Sequence, residues 1–184
     1  MPVSTSYIKK NAQAYDKIFC MMSKKYGLKK LLLKALAIRE SALDPKAYRH
    51  EPGFWNRYLK NNSKWKDKDP ALVSSSWGLC QLMYVVAVEL GFPMGMTGEE
   101  LCDPVTNIEL AAKHLRRSLD LIHKKNVCVE HIGLNPLVVA IARYNGGAGG
   151  NPDNDGRLRT QAYADKVIKT WSELILEESE CDES

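Results

Sequence analysis

The stretch DPVTNIELAAKHLRRSLDLIHKK, residues 103–125, constrains the fold more tightly than any other part of the chain. Ile108, Ala112, Leu115, Leu119 and Ile122 recur at alternating steps of four and three, the spacing that lines one side of a helix. Asp103 supplies an N-cap, and Pro104 sits in the first turn, where its missing N–H is no loss. A long helix with one apolar stripe must be buried against other helices, and the sequence offers several. NPLVVAIARYN repeats the device with Asn135 and Pro136 and is apolar almost all round, the mark of a central buried helix. SYIKKNAQAYDKIFCMMSKKYG places Ile8, Ala12, Tyr15, Phe19 and Met22 on one face and stops at Gly27. Tyr163, Val167, Trp171 and Leu174 stripe a last helix, and LCQLMYVVAVELG reads as a buried helix stopped by Gly91. The expected class is all-α, with little or no strand. At 184 residues, 45% of them hydrophobic, the chain is sized for one globular domain.

Several function classes are excluded early. No window holds the ~20 uncharged apolar residues of a membrane span. The opening MPVSTSYIKKNAQAYDKIF is polar where an export signal needs its apolar region. Five cysteines, Cys20, Cys80, Cys102, Cys128 and Cys181, show no CxxC or Cys/His ligand spacing, so they are expected as free thiols made in a reducing compartment. His50, His114, His123 and His131 likewise lack ligand spacing and are expected at the surface, so no metal site is anticipated. Six of the 22 acids lie between Glu173 and the end, leaving 26 bases against 16 acids, a net of +10, for the rest. Residues 173–184 are therefore set apart as an acidic tail, a frayed helix end followed by disorder, and residues 1–172 as the domain. A basic body suits a polyanion such as cell wall, nucleic acid or an anionic membrane, although a solvated lysine-rich surface looks the same in sequence.

The helix LKKLLLKALAIRES contains an anomaly. Leu28, Leu32 and Leu36 are spaced by four, and the next position in that series is Glu40. Asp44 and Pro45 end the helix just beyond, so the acid continues an apolar stripe near the negative end of the helix dipole. Both circumstances favour its protonated form. Three further stretches break the helical pattern. YRHEPGFWNRYLKNNSKWKDKDPALVSSS is long and aromatic; Trp55 is assigned there as a ring stacking on sugar, with loop closure over the core as the alternative for Trp55, Trp65 and Trp77. SSSWGLCQLM is a serine-rich turn expected to lead straight into a helix. RYNGGAGGNPDNDG follows the buried helix with five glycines, read as flexibility, and lacks the Walker pattern.

Taken in order, IRESALDPKA, SSWGLCQLM, DPVTNIELAAKHL, AIARYNGGAGG and YADKV resemble the catalytic domain of soluble lytic transglycosylases, relatives of goose-type lysozyme, from about Leu31 to Trp171. The resemblance implies an α-helical lysozyme-like fold with a peptidoglycan groove, one catalytic glutamate, and no metal or organic cofactor. It implies glycan strands of peptidoglycan rather than nucleic acid as partner, a monomer, and action at the cell wall or periplasm. Carried over by position, Glu40 matches the catalytic acid, Gln81 and Met83 match sugar-contacting groove residues, and Ser76 belongs to the turn beside the acid. Tyr144 and Asn145 match the Tyr-Asn pair near the glutamate, Tyr163 the last groove element, and Asn107 a structural position. For Tyr144 and Tyr163 core packing is the alternative, and for Gln81 a turn cap. The chain departs from the pattern at Trp77, at Cys80 where methionine is usual, and at Arg143.

Glycoside cleavage needs a general acid, and ordinary glycosidases add a second carboxylate. Asp44 reads as a cap and Glu51 lies in the long insertion, so neither has a convincing position. One acid suffices if the substrate supplies its own nucleophile. In the mechanism the resemblance implies, the N-acetyl group of N-acetylmuramic acid assists departure and the glutamate then deprotonates the 6-hydroxyl to close a 1,6-anhydro ring. A hydrolytic muramidase using Asp44, Glu51 or a positioned water, and an inactive wall-binding or virion module, are the competing expectations. Without an export signal, delivery falls to a phage holin or tail, a secretion apparatus or a parent polypeptide.

Overall fold

In a computed structural model of the protein, residues 13–124, 134–153 and 157–182 are described. Ile8, Ala12, Cys128 and His131 lie outside them. The helices α1 (Asp16–Tyr26) and α2 (Lys30–Ser41) come first, followed by strand β1 (Tyr48–His50). The short helix α3 (Pro52–Phe54) runs into a π-helical turn (Trp55–Leu59), and α4 (Pro70–Val73) precedes strands β2 (Ser75–Trp77) and β3 (Leu82–Met83). Then come α5 (Tyr84–Glu89), α6 (Gly98–Leu101), α7 (Pro104–Lys124), α8 (Pro136–Gly146), a 3-10 turn (Gly147–Gly150) and α9 (Gln161–Asp182). The fold is mostly helical with one small sheet.

Helix starts follow the sequence signals. Asp103 Oδ1 accepts from Thr106 N at 2.9 Å ahead of α7, and Asn135 Oδ1 accepts from Leu137 N at 2.8 Å ahead of α8, each with proline at the first position. α1 begins only at Asp16 and ends before Gly27, where Leu28 N donates to Ser23 O at 2.9 Å, the C-terminal lock of a Schellman motif.

The chain divides into two compact units. One comprises residues 1–18 and 40–111 and contains the sheet, in order β1-β2-β3, antiparallel throughout. Tyr48 faces Trp77, Arg49 faces Ser76, and Ser76 faces Met83. Its core includes Leu43, Leu79, Cys80, Leu101 and Ile108, with Trp65, 5% exposed, folded in from the long insertion. That insertion is built from short helices and turns, with Phe54 and Tyr58 stacked at a 4.9 Å ring separation. The expected helix over LCQLMYVVAVELG is corrected: Leu79–Gln81 form a turn, Leu82 and Met83 pair as β3, and the helix begins at Tyr84. Gln81, with φ of 47°, sets that turn where helical propensity alone would have continued the helix.

The second unit comprises residues 19–39 and 112–184, with α9 packed on α8. The Leu28–Leu32–Leu36 stripe is only part of what α2 buries, because Leu32 through Ala37 are all buried, Lys34 among them. The acidic segment is helical over its described residues. α9 continues to Asp182, and Glu178 pairs with Lys30 at 2.7 Å. In the glycine-rich loop, Gly150 is required by close approach: a Cβ there would lie 2.5 Å from the Ala142 carbonyl oxygen.

Candidate functional site

Glu40 is half-buried in the last turn of α2. The two residues after the helix, Ala42 at φ 55° and Leu43 at φ 64°, both adopt the left-handed region without being glycine. Such a pair costs on the order of 1–3 kcal/mol per residue and persists only where its surroundings impose it. Here they do: Leu43 is fully buried, and Ser41 Oγ donates to Leu79 O at 2.7 Å, fastening the helix end to the Gly78–Gln81 turn.

That turn is held from below by Asn107, which is 0% exposed. Its Oδ1 accepts from Cys80 N at 2.8 Å, and its Nδ2 donates to Trp77 O and Leu101 O, both at 2.9 Å. A Cβ at Gly78, φ 74°, would come within 2.6 Å of Asn107 Nδ2, so the turn requires glycine there. Cys80 is buried against this turn, and burial together with the negative charge of Glu40 drives its thiol pKa far upward. Cys102, half-buried, is likewise raised, by burial and by Glu99 and Asp44. Cys20, Cys80 and Cys102 are free thiols.

The other expected residues fall into two sets. Beside the Glu40 turn, Gln81 Nε2 donates to Ala47 O and Gly78 O, each at 3.0 Å, so its amide nitrogen ties the turn as a cap does. Ser76 and Met83 face each other across β2 and β3. Ser76 Oγ donates to Glu51 Oε1 at 3.2 Å. Glu51 also pairs with Arg49 at 2.9 Å, so the insertion carboxylate is anchored rather than mobile. Trp55 is half-buried in the π-helical turn. In the second unit, Tyr144 is buried, Asn145 is exposed in the last turn of α8, and Tyr163 is half-buried on α9. The ring of Tyr144 lies 5.0 Å from that of His114.

His114 corrects the expectation of surface histidines. It is largely buried, its Nδ1 has no hydrogen-bond partner, and its pKa is lowered to about 4 by burial and then by Arg117. Its position on the apolar side of α7, beside Leu115, was the available signal. His50 and His123 are exposed as expected. Among the described residues no group of three or more His, Cys, Asp or Glu is placed to hold a metal ion, and no helix is long and apolar enough to cross a membrane.

No curated protein matches the sequence. The family model described as the Transglycosylase SLT domain matches residues 17–166, a span that takes in Glu40, the Gly78–Gln81 turn, Asn107 and the Tyr144–Asn145 pair. The chain belongs to the transglycosylase SLT domain family and is a peptidoglycan lytic transglycosylase, acting on the cell wall.

Proposed function

We propose that the enzyme cleaves the β-1,4 bond between N-acetylmuramic acid and N-acetylglucosamine with Glu40 as the single general acid and base, leaving a 1,6-anhydro end. The observation that carries this is the setting of Glu40: a half-buried acid on a helix end clamped by Ser41 to a turn that Asn107 fixes. Such a carboxyl can protonate the leaving oxygen and then, as carboxylate, take the 6-hydroxyl proton from the same place. Ser76, Gln81, Met83, Tyr144, Asn145, Tyr163 and Trp55 are assigned to glycan contact. The protein acts as a monomer on glycan strands rather than nucleic acid and needs no cofactor because the substrate brings the nucleophile.

One observation favours a second reading. Glu51, held by Ser76 and Arg49, is a fixed carboxylate, and a hydrolytic muramidase uses a second carboxylate beside its acid. Digestion of purified peptidoglycan in 18O-labelled water separates the two. The single-acid reading gives muropeptides lighter by one water, with no label at the cleaved carbon, and Glu40→Gln loses at least ~10²-fold in turnover. Label at that carbon, or an active Glu40→Gln, overturns it.

A further inference from the structure

A cavity of about 840 Å³ opens on the sheet-bearing unit, within the range of small-molecule and sugar pockets. It is lined by Tyr48 and Trp77, by Pro45 and Lys46, and by Glu99 and Cys102. Strand geometry separates it from the groove residues. Side chains alternate along a strand, so Trp77 and its facing partner Tyr48 project to the side of the sheet opposite Ser76 and its facing partner Met83. None of the residues assigned to glycan contact under the proposed function lines this cavity.

The walls state what would fit. The rings of Tyr48 and Trp77 lie 4.6 Å apart and tilted, and their polar tips are already engaged, the Tyr48 hydroxyl with Ala71 O and Trp77 Nε1 with Leu72 O, each at 3.4 Å. Gly98 lies against the Trp77 ring, where a Cβ would come within 2.3 Å of it, so the exposed Tyr48 ring is the aromatic surface open to a ligand. Polar recognition falls to Lys46, Glu99 and Asp103, all exposed, with Asp103 Oδ1 also accepting from Thr106 N. Apolar faces with a donor and an acceptor at the rim suit a pyranose chain, whose C–H faces stack on rings while its hydroxyl and N-acetyl groups take both signs of partner.

We infer that this pocket is a second glycan-binding site, which holds a peptide-free stretch of the same strand that Glu40 cleaves or of its neighbour. The ligand class rests on the peptidoglycan substrate. Holding a polymer at two places converts the second encounter into an intramolecular one, which raises avidity without any new contact at the reacting bond.

Cys102 gives the site its own reporter, since it lines the cavity and is half-buried. The test alkylates the full chain carrying Glu40→Gln at alkaline pH, where the raised thiol reacts, and reads the Cys102 peptide by mass spectrometry. Peptide-free glycan strands at ten times their Kd should slow Cys102 alkylation about tenfold, by mass action alone. Free stem peptides should leave the rate unchanged. Lys46→Ala with Glu99→Ala, both at exposed positions, should abolish the protection ratio measured with and without glycan. Unprotected Cys102 in the presence of glycan, protection by stem peptide instead, or an undiminished ratio in the double variant overturns the assignment. Cleavage by Glu40→Gln in the same tubes would instead overturn the single-acid reading, and it is scored separately as product.

Discussion

Asn107→Asp tests what positions the Glu40 turn. The substitution conserves volume and keeps an oxygen for Cys80 N, but it replaces the nitrogen that donates to Trp77 O and Leu101 O with an acceptor. Both bonds sit at a side chain with 0% exposure. Each buried group left unsatisfied costs about 1–3 kcal/mol, so the loss at neutral pH should be about 2–6 kcal/mol, a large share of a typical domain's stability. The sign of its pH dependence follows. Burial and two facing carbonyls raise the new carboxyl's folded pKa above its unfolded value, so the folded variant binds the extra proton between the two. The deficit is therefore smallest below the unfolded pKa and grows as pH rises through the folded one. A protonated carboxyl donates to one of the two carbonyls, recovering about 1–3 kcal/mol. Urea unfolding of both chains at pH 7 and pH 4 measures this directly, with the original chain at each pH as reference. A deficit below about 1 kcal/mol, or one equal at both pH values, would refute the claim that this side chain holds the turn.

His114→Phe should flatten acid destabilisation. The folded pKa of His114 is lowered to about 4, so its neutral form contributes stability that is complete above the ordinary value and lost as pH falls toward 4, about 3 kcal/mol in all. Thermal melts from pH 7 down should show the variant losing less, and parallel profiles would count against the burial. Trp55→Ala should weaken glycan binding more than it lowers Tm, because a half-buried ring has a face to offer; a large Tm loss with unchanged affinity of the folded fraction assigns the ring to packing. Glu51→Gln should leave anhydro product formation within about threefold if Glu40 works alone, whereas a collapse of at least ~10²-fold would identify Glu51 as a base.

What was legible in the sequence was whatever is local. The caps at Asp103 and Asn135, the stop at Gly27 and the stripes of the long helices all rest on interactions within a few residues, and the structure reproduces them. The sheet was not legible. Its strands are only two or three residues long and pair across the insertion, Tyr48 with Trp77, so neither length nor alternation announces them. The position of Glu40 in a Leu28–Leu32–Leu36 series was visible, but not the burial of every residue from Leu32 to Ala37, because periodicity on one face says nothing of what covers the other. Ser76 bonding to Glu51 and His114 lying largely buried depend on partners 25 residues away or on another helix, which no local pattern encodes.

The Gly78–Gln81 turn is where these separately encoded pieces meet. Ser41 reaches its backbone from the end of α2, Ala47 O accepts from Gly78 N at 2.8 Å ahead of β1, and Asn107 closes it from α7. Of the side-chain groups involved, only a hydroxyl, one amide of Asn107 and one amide of Gln81 take part; the remaining partners are main-chain atoms. A reaction that asks one carboxyl to give a proton to one oxygen and then take a proton from another needs that carboxyl to stay in place between the two steps. Fixing the adjoining turn through backbone atoms meets part of this need, because it holds the helix end that carries the carboxyl. Cys80 serves the turn through its backbone N–H, while its side chain is buried.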